Sequence, residues 1–320
     1  MIADAVMADV SVVMPAYRNA ATIGAALASI ARQSMPPREV IVVDDGSDDG
    51  TFEAANEAVA SMGRTELRVL RQRNQGPGAA RNRALLESRG EVVAFLDADD
   101  QWLPQKLARS LAVMNETGSD MVAHDYFGVT PTGRQQVDCT RHFRHYPDPF
   151  VGQLLRGYIS STTVVVRREI VVAAGGFDPA LPSGQDYDLW LAILALPDVR
   201  FTMFPEALSQ YTIGMGGITG KIEQRRHCAM TILKRFSPRL KDCPGGGLRV
   251  VVMRALIVQF QAAQAHFAQR QPAAAIVALL QSPATVAEAI TAANATVLPR
   301  PNFLGVVFPP ASPVKISHAS

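Results

Sequence analysis

The chain has 320 residues, 48% hydrophobic and 19% charged, with a net charge of +2, a globular composition with enough apolar mass for one large core or two smaller ones. The near-neutral balance argues against nucleic acid as a partner, which calls for a basic stripe. Three widely spaced cysteines, Cys139, Cys228 and Cys243, make neither a disulfide framework nor a zinc-ligand spacing, so a reducing cytoplasm is the expected compartment. The opening MIADAVMADV lacks the basic region and apolar run of a secretory signal, and residues 1 to 8 are expected to stand outside the fold. Arg254 interrupts the apolar stretch 250 to 258, and Gln281 with Pro283 interrupts 273 to 290. No transmembrane segment is expected, because a span needs roughly 18 to 20 apolar residues. Peripheral contact with a membrane surface and an oligomer both stay open.

Short β-branched runs alternate with helical patterns over the first hundred residues. Val10 to Met14 reads as a buried strand, and Asn19 as the cap of a helix with Ile23, Leu27 and Ile30 on one face. A strand at Val40 to Val43 leads through DDGSDDG into a helix from Thr51, and a third strand spans Leu67 to Leu70. Pro77 suits the first turn of a helix running to Ser88, and a fourth strand, Val92 to Leu96, ends in the acids of DADD. Strands so separated by helices predict βαβ units on a parallel sheet, with ligands beyond the strands' carboxyl ends.

Further on, residues 121 to 138 read as a hairpin turning at PTG, Thr163 to Val166 as a strand and 186 to 196 as a helix. Short strands are expected at Phe201 to Phe204 and Leu208 to Tyr211. Gly245 to Gly247 reads as a linker into Ala-rich helices near 248 to 269, 272 to 281 and 284 to 294, followed by a loose Pro-rich end from Pro299. This gives a main domain over 9–244 (nucleotide half about 9–120, acceptor half about 121–244) and a helical extension over 245–320. On that division, the main domain should survive truncation at Asp242, unless Val251, Leu256 and Phe260 complete its core.

The polar clusters sit where chemistry is expected. Asp97 and Asp99, alternate residues at a strand end, can converge on one point, which suits a hard divalent cation that keeps water and phosphate oxygens as its other ligands. The same acids suit a turn capping the helix near Pro104, and the residues alone leave both open. Asp44 and Asp45 can accept hydrogen bonds from a base or a ribose, or shape their own turn. In NQGPGAARN, Gly76 and Gly78 allow close backbone approach, the helix N-terminus favours anions, and Arg81 and Arg83 suit phosphate oxygens. Asp186 and Asp188 open a helix after GGFDPALPSGQ, either as simple dipole compensation or as a general base facing an acceptor pocket. His124, His142 and His145 show no ligand spacing, and the Met and Phe residues of the tail helices read as core or as an oligomer face.

VSVVMPAYRN, VIVVDDGSDDGT, NQGPGAARN, FLDADD and GGFD followed by QDYDLWL resemble, in order and spacing, the motifs of glycosyltransferase family 2 over about two thirds of the chain, residues 10 to 215. The resemblance implies an α/β GT-A fold, Rossmann-like with a mostly parallel central sheet. It also implies a nucleotide-diphospho-sugar donor (a UDP-sugar first), Mg²⁺ or Mn²⁺, and inversion at the anomeric carbon. The acceptor it implies is a carbohydrate or lipid-linked saccharide. Carried over by motif, Asp45 contacts the donor base beside Pro15 and Tyr17, and Arg81 lies near the diphosphate or base. Asp99 is then the direct metal ligand, Asp97 meets the ribose or sugar, and Asp186 is the catalytic base, with Asp188 turned to solvent or a helix cap. Two departures stand out: Gln185 replaces the first acid of the family's Glu-Asp pair, and TIGMGGITG after Tyr211 has no histidine. QRRHC at Gln224 to Cys228 is not the Q-x-x-R-W of processive synthases, so a single addition is expected. The alternatives are a degenerate member that binds nucleotide-sugar without transfer and a sugar nucleotidyltransferase.

Overall fold

Strand β1 (Ala8–Ala16) lies near the middle of a seven-stranded sheet, and its apolar run is buried on both faces. The computed structural model describes residues 7–213, 221–297 and 300–305. Helix α1 (Ile23–Ala31), β2 (Pro37–Asp44), α2 (Thr51–Glu57), β3 (Glu66–Arg71), α3 (Pro77–Glu87) and β4 (Val92–Phe95) complete the βαβ half. Then come β5 (Gln101–Trp102), α4 (Lys106–Thr117), β6 (Met121–His124), β7 (Tyr126–Thr130) and β8 (Gly133–Val137). They are followed by α5 (Cys139–Phe143), α6 (Pro149–Arg156), β9 (Val165–Arg167), α7 (Arg168–Ala173), α8 (Gln185–Leu194), β10 (Phe201–Phe204) and β11 (Ser209–Thr212). The tail holds α9 (Ile222–Phe236), α10 (Leu248–Ala268), α11 (Pro272–Leu280) and α12 (Ser282–Ala293).

The large sheet runs β10-β6-β9-β4-β1-β2-β3 and is parallel except at β9, which pairs antiparallel with β4 and β6. A smaller sheet, β5-β11-β7-β8, stands beside it. Alternate residues of each central strand enter opposite cores, as the two-residue period requires. Val13, Ile41, Val93 and Phe95 join α3, α8, α9 and α10 on one face; Val12, Met14, Val40 and Ala94 join α1 and α4 on the other. The chain steps outward from β1 to β2 and β3, then returns to place β4 on the far side of β1. That reversal opens the crevice in which α/β sheets bind ligands.

Pro15 sits inside this central strand without cost. Val13 O accepts from Leu96 N and Ala16 O from Asp45 N. By alternation, the N–H that Pro15 lacks would point toward β4, beyond the last β1–β4 pair, Val13 with Phe95.

Several expectations need correction. Thr22, not Asn19, is the N-cap of α1, and it makes no side-chain cap bond; the Asn19 carbonyl instead accepts from Thr22 N and Ile23 N, closing a turn ahead of the helix. Of the hairpin expected over 121 to 138, only β7 and β8 form one, because β6 pairs with β9 and β10 in the large sheet. Helix α10 is no appendage: Val250, Val251, Ala255 and Val258 belong to the main core. Truncation at Asp242 would remove that wall, so the truncated chain is expected to be insoluble on expression. Leu256 and Phe260, and with them Met253 and Phe267, are exposed rather than core. Helix α10 is also long and apolar enough to cross a membrane by length and composition, contrary to expectation. Half of its most apolar window is buried in the protein, as in a core helix.

The end of the chain is not loose where it is described, although Pro299 itself lies outside the described residues. Arg300 reaches Asp188 at 2.6 Å and Gly176 O at 2.7 Å, Phe303 N donates to Gly175 O at 2.8 Å, and Leu304 is buried. This docking explains the glycine at 176, where φ is 74° and an added Cβ would lie 2.7 Å from Leu304 Cγ. His124, fully buried, keeps a neutral ring: burial and then Lys106 push its pKa down to about 3.

Candidate active site

The carboxyl ends of β1, β2 and β4 and the N-termini of α3 and α8 open onto one cleft of about 940 Å³. Pro15, Tyr17, Asp45, Gly76, Arg81, Asp97, Asp99 and Asp186 all line it. The sequence-derived site residues therefore meet in one place. Arg83 does not: it lies outside that lining and donates to Arg71 O at 2.7 Å, so its assignment to phosphate is corrected.

Asp45, buried at the end of β2, organises the loop above it. Its carboxylate accepts from Gln72 Nε2 at 2.8 Å, Gln75 N at 2.9 Å and Gly76 N at 2.8 Å. A carboxylate has about four acceptor positions, so one direction remains for a ligand. Gly76 supplies the turn into α3, with φ 88° and ψ 162°, a backbone region closed to side-chain-bearing residues. The first loop is tied to DDGSDDG by Arg18 on Asp48 at 2.9 Å and to the start of α2 by Asn19 N on Thr51 Oγ1 at 2.8 Å, which fixes Tyr17 at the rim.

Arg81 lies buried on α3, stacked on Phe177 at 5.4 Å and paired with Asp97 Oδ1 at 2.6 Å. Burial works against its charge, but Asp97, Asp186 and Asp99 outweigh it, and its pKa is raised. Asp97 therefore meets Arg81 first. Asp99 is exposed at the mouth of the cleft, and its carboxylate takes no hydrogen bond from another described residue. The concave surroundings and then Asp97 push its carboxyl up. Asp100, which sequence reasoning left without a role, is buried and raised further by burial, Asp97 and Asp99. Asp100 Oδ1 accepts from Thr212 N at 2.9 Å, while Oδ2 has no partner. Three carboxylates thus crowd against one arginine.

This excess of negative charge suits a cation. Among the described residues no group of three or more His, Cys, Asp or Glu could hold a metal by itself. The residues do fit an ion that takes one or two carboxylates and completes its shell with water and phosphate. The histidine-free stretch after Tyr211 lies mostly in residues 214–220, outside the described residues.

Asp186, half-buried in the first turn of α8, accepts from Ser161 Oγ at 3.1 Å. Gln185 is buried beside Gly78, whose added Cβ would lie 3.3 Å from Gln185 Cγ. The site for the family's first acid is therefore a packing position against α3. Asp188 is the main correction here. It faces neither solvent nor a cap but is fully buried, held by Arg235 Nη1 at 2.5 Å and Arg300 Nη2 at 2.6 Å. Arg235 also holds Asp178 of GGFD at 2.7 Å, and Asn82 exchanges two 2.8 Å bonds with the Phe177 backbone. The motifs that line the cleft are thus bolted to one another.

The family model described as Glycosyl transferase family 2 matches residues 11–173, half of the chain. The chain belongs to glycosyl transferase family 2. AglE, a glycosyltransferase of Haloferax volcanii, is 32% identical over 185 residues, which are 55% of this chain and 58% of that one. TuaG of Bacillus subtilis, named a putative teichuronic acid biosynthesis glycosyltransferase, is 32% identical over 64% of this chain and 79% of its own length. The chain covers only 28% of an uncharacterized glycosyltransferase from Rickettsia bellii, so it spans from about a quarter to four fifths of these relatives. Among solved structures, Staphylococcus aureus TarS 1-349 in complex with UDP-GlcNAc is similar with a TM-score of 0.60 at 20% identity, covering 89% of both chains. Mannosyltransferase PcManGT from Pyrobaculum calidifontis, in complex with GDP-Man and Mn²⁺, gives 0.59 at 21% identity over 91% of this chain and 88% of its own. These similarities show the GT-A fold that the sequence implies, with its mostly parallel sheet and a helical C-terminal region.

Proposed function

We propose that this family 2 protein transfers one sugar from a nucleotide-diphospho-sugar to an acceptor hydroxyl with inversion. The observation that carries the reading is the convergence of Asp45, Arg81, Asp97, Asp99 and Asp186 on one cleft at the sheet's switch point. The base and ribose lie against Tyr17, Pro15 and the remaining acceptor direction of Asp45. The diphosphate lies across the N-terminus of α3, whose dipole favours anions. Mg²⁺ or Mn²⁺, when bound, would be held by Asp99, with Asp97 behind it, and would neutralise charge on the leaving diphosphate. Arg81 fixes Asp97.

On the other wall, Asp186 accepts the proton of the acceptor hydroxyl. The acceptor oxygen bonds to the anomeric carbon as the bond from that carbon to the diphosphate oxygen breaks, and the electron pair leaves with the nucleoside diphosphate. Attack from the face opposite the leaving group inverts the centre. Ser161, bonded to the Asp186 carboxylate, orients it.

One of the two structural neighbours binds UDP-GlcNAc and the other GDP-Man with Mn²⁺, so a donor screen must span both bases. We take a UDP-sugar as the first donor, a carbohydrate or lipid-linked saccharide as acceptor, and a cytoplasmic location with peripheral membrane contact. The nucleotide half is residues 9–120 and the acceptor half 121–244, with α10 extending the acceptor wall. Asp99→Asn should abolish Mn²⁺-dependent binding of UDP in isothermal titration while leaving the circular dichroism spectrum unchanged. Equal UDP affinity of the unmutated protein in EDTA and in Mn²⁺ would remove Asp99 from the metal role.

A further inference from the structure

The cleft is lined by both signs of charge, Asp45, Asp97, Asp99 and Asp186 as acids and Arg81, Lys221, Arg225, Arg226 and Arg254 as bases. Arg254 is the unusual member. It is only 6% exposed, yet among the described residues no carboxylate pairs with it. Its Nη1 donates to Leu155 O at 3.2 Å, its guanidinium lies 5.1 Å from the Tyr187 ring centre, and its Nε has no partner. The other deep arginines each hold an aspartate: Arg81 holds Asp97, Arg235 holds Asp178 and Asp188, and Arg300 holds Asp188. A guanidinium withdrawn from water without a counter-charge is costly, and an anionic oxygen group is what its planar fork best accepts.

Helix α10 lines the cleft from Arg254 to Ala265, a wall about 16 Å long. Arg254 packs on Tyr187, the residue after Asp186, so a group bound at Arg254 lies on the acceptor side of the proposed base.

We propose that the part of the cleft beside Arg254 is an acceptor subsite for an acidic sugar, its carboxylate or phosphate held by the Arg254 guanidinium. The assignment deepens the donor reading above and rests on it. The donor diphosphate lies at Arg81 and Asp99, and the acceptor's charge at Arg254. A neutral acceptor would leave Arg254 unpaired.

The test uses the full chain saturated with UDP and Mn²⁺, titrated with glucose 6-phosphate, glucuronate or glucose and followed by ligand-observed NMR. At least one acidic sugar is expected to bind ten-fold or more tightly than glucose. The two acidic arms distinguish phosphate from carboxylate. Arg254→Gln should erase that preference while leaving UDP affinity unchanged. Because Arg254 also bonds Leu155, that variant can fail to fold; Arg254→Lys, which keeps the charge but not the planar fork, should then lower the preference about three-fold. Equal binding of all three sugars, an undiminished preference in the variants, or loss of UDP rather than acidic-sugar affinity in Arg254→Gln would each overturn the proposal. UDP is titrated first, so failure of nucleotide to bind counts against the donor reading alone.

Discussion

Asp186→Asn is expected to cut sugar transfer by about 10² to 10⁴, the range typical of a lost general base, while donor affinity stays within a factor of two. Asp186 opens α8, and the proposed donor groups Asp45, Arg81, Asp97 and Asp99 come from the β2, α3 and β4 ends on another side of the cleft. Its carboxylate is reached by one hydroxyl, Ser161 Oγ, and by the N–H of Tyr187, which leaves acceptor capacity facing the cleft. Asparagine keeps the shape and can still accept from Ser161 but cannot take a proton. Initial rates of nucleoside diphosphate release with acceptor, set beside donor titrations, separate the two effects. Full transfer by the variant would disqualify Asp186 as the base.

Asp188→Asn should fail for a different reason, by destabilising the fold by about 3 kcal/mol, the lower end of the cost of breaking a buried ion pair. A surface pair would be worth about 0–1 kcal/mol. The larger figure applies because the Asp188 side chain is 0% exposed and two arginines converge on it. The lower end applies because Arg235 keeps Asp178, and Arg300 keeps the carbonyls of Ala174 and Gly176. Urea unfolding of the variant measures the loss; stability within about 0.5 kcal/mol of the unmutated chain, the usual range for surface substitutions, would contradict the buried pairing. Two acids two residues apart on one helix thus carry separable roles, one in the cleft and one in the scaffold.

Much of the site was legible in the sequence because it lies at strand ends. Apolar runs closed by Asp45 and by Asp97 mark carboxyl edges of a parallel sheet, and Pro77 marks the helix between them. What was not legible depends on contacts distant in the chain. The partners of Asp188 are 47 and 112 residues away, so no local pattern distinguishes it from an ordinary helix-start acid. Arg254 fails to stand out for a similar reason. In sequence it only interrupts an apolar run, and only the packing of α10 along the cleft shows it to be buried with no acid paired to it among the described residues. Nor does a glycine pair announce a docking site, yet the lack of side chains at Gly175 and Gly176 admits the segment from Arg300 to Leu304.

The most direct test of sugar transfer is mass spectrometry of an acceptor panel, acidic sugars included, incubated with the full chain, Mn²⁺ and UDP- and GDP-sugars. The expected result is an acceptor heavier by one sugar residue, formed in step with nucleoside diphosphate and absent with Asp186→Asn. Tight Mn²⁺-dependent donor binding with no glycosylated product from any donor–acceptor combination would contradict it, and would make the protein a nucleotide-sugar binder instead of a transferase.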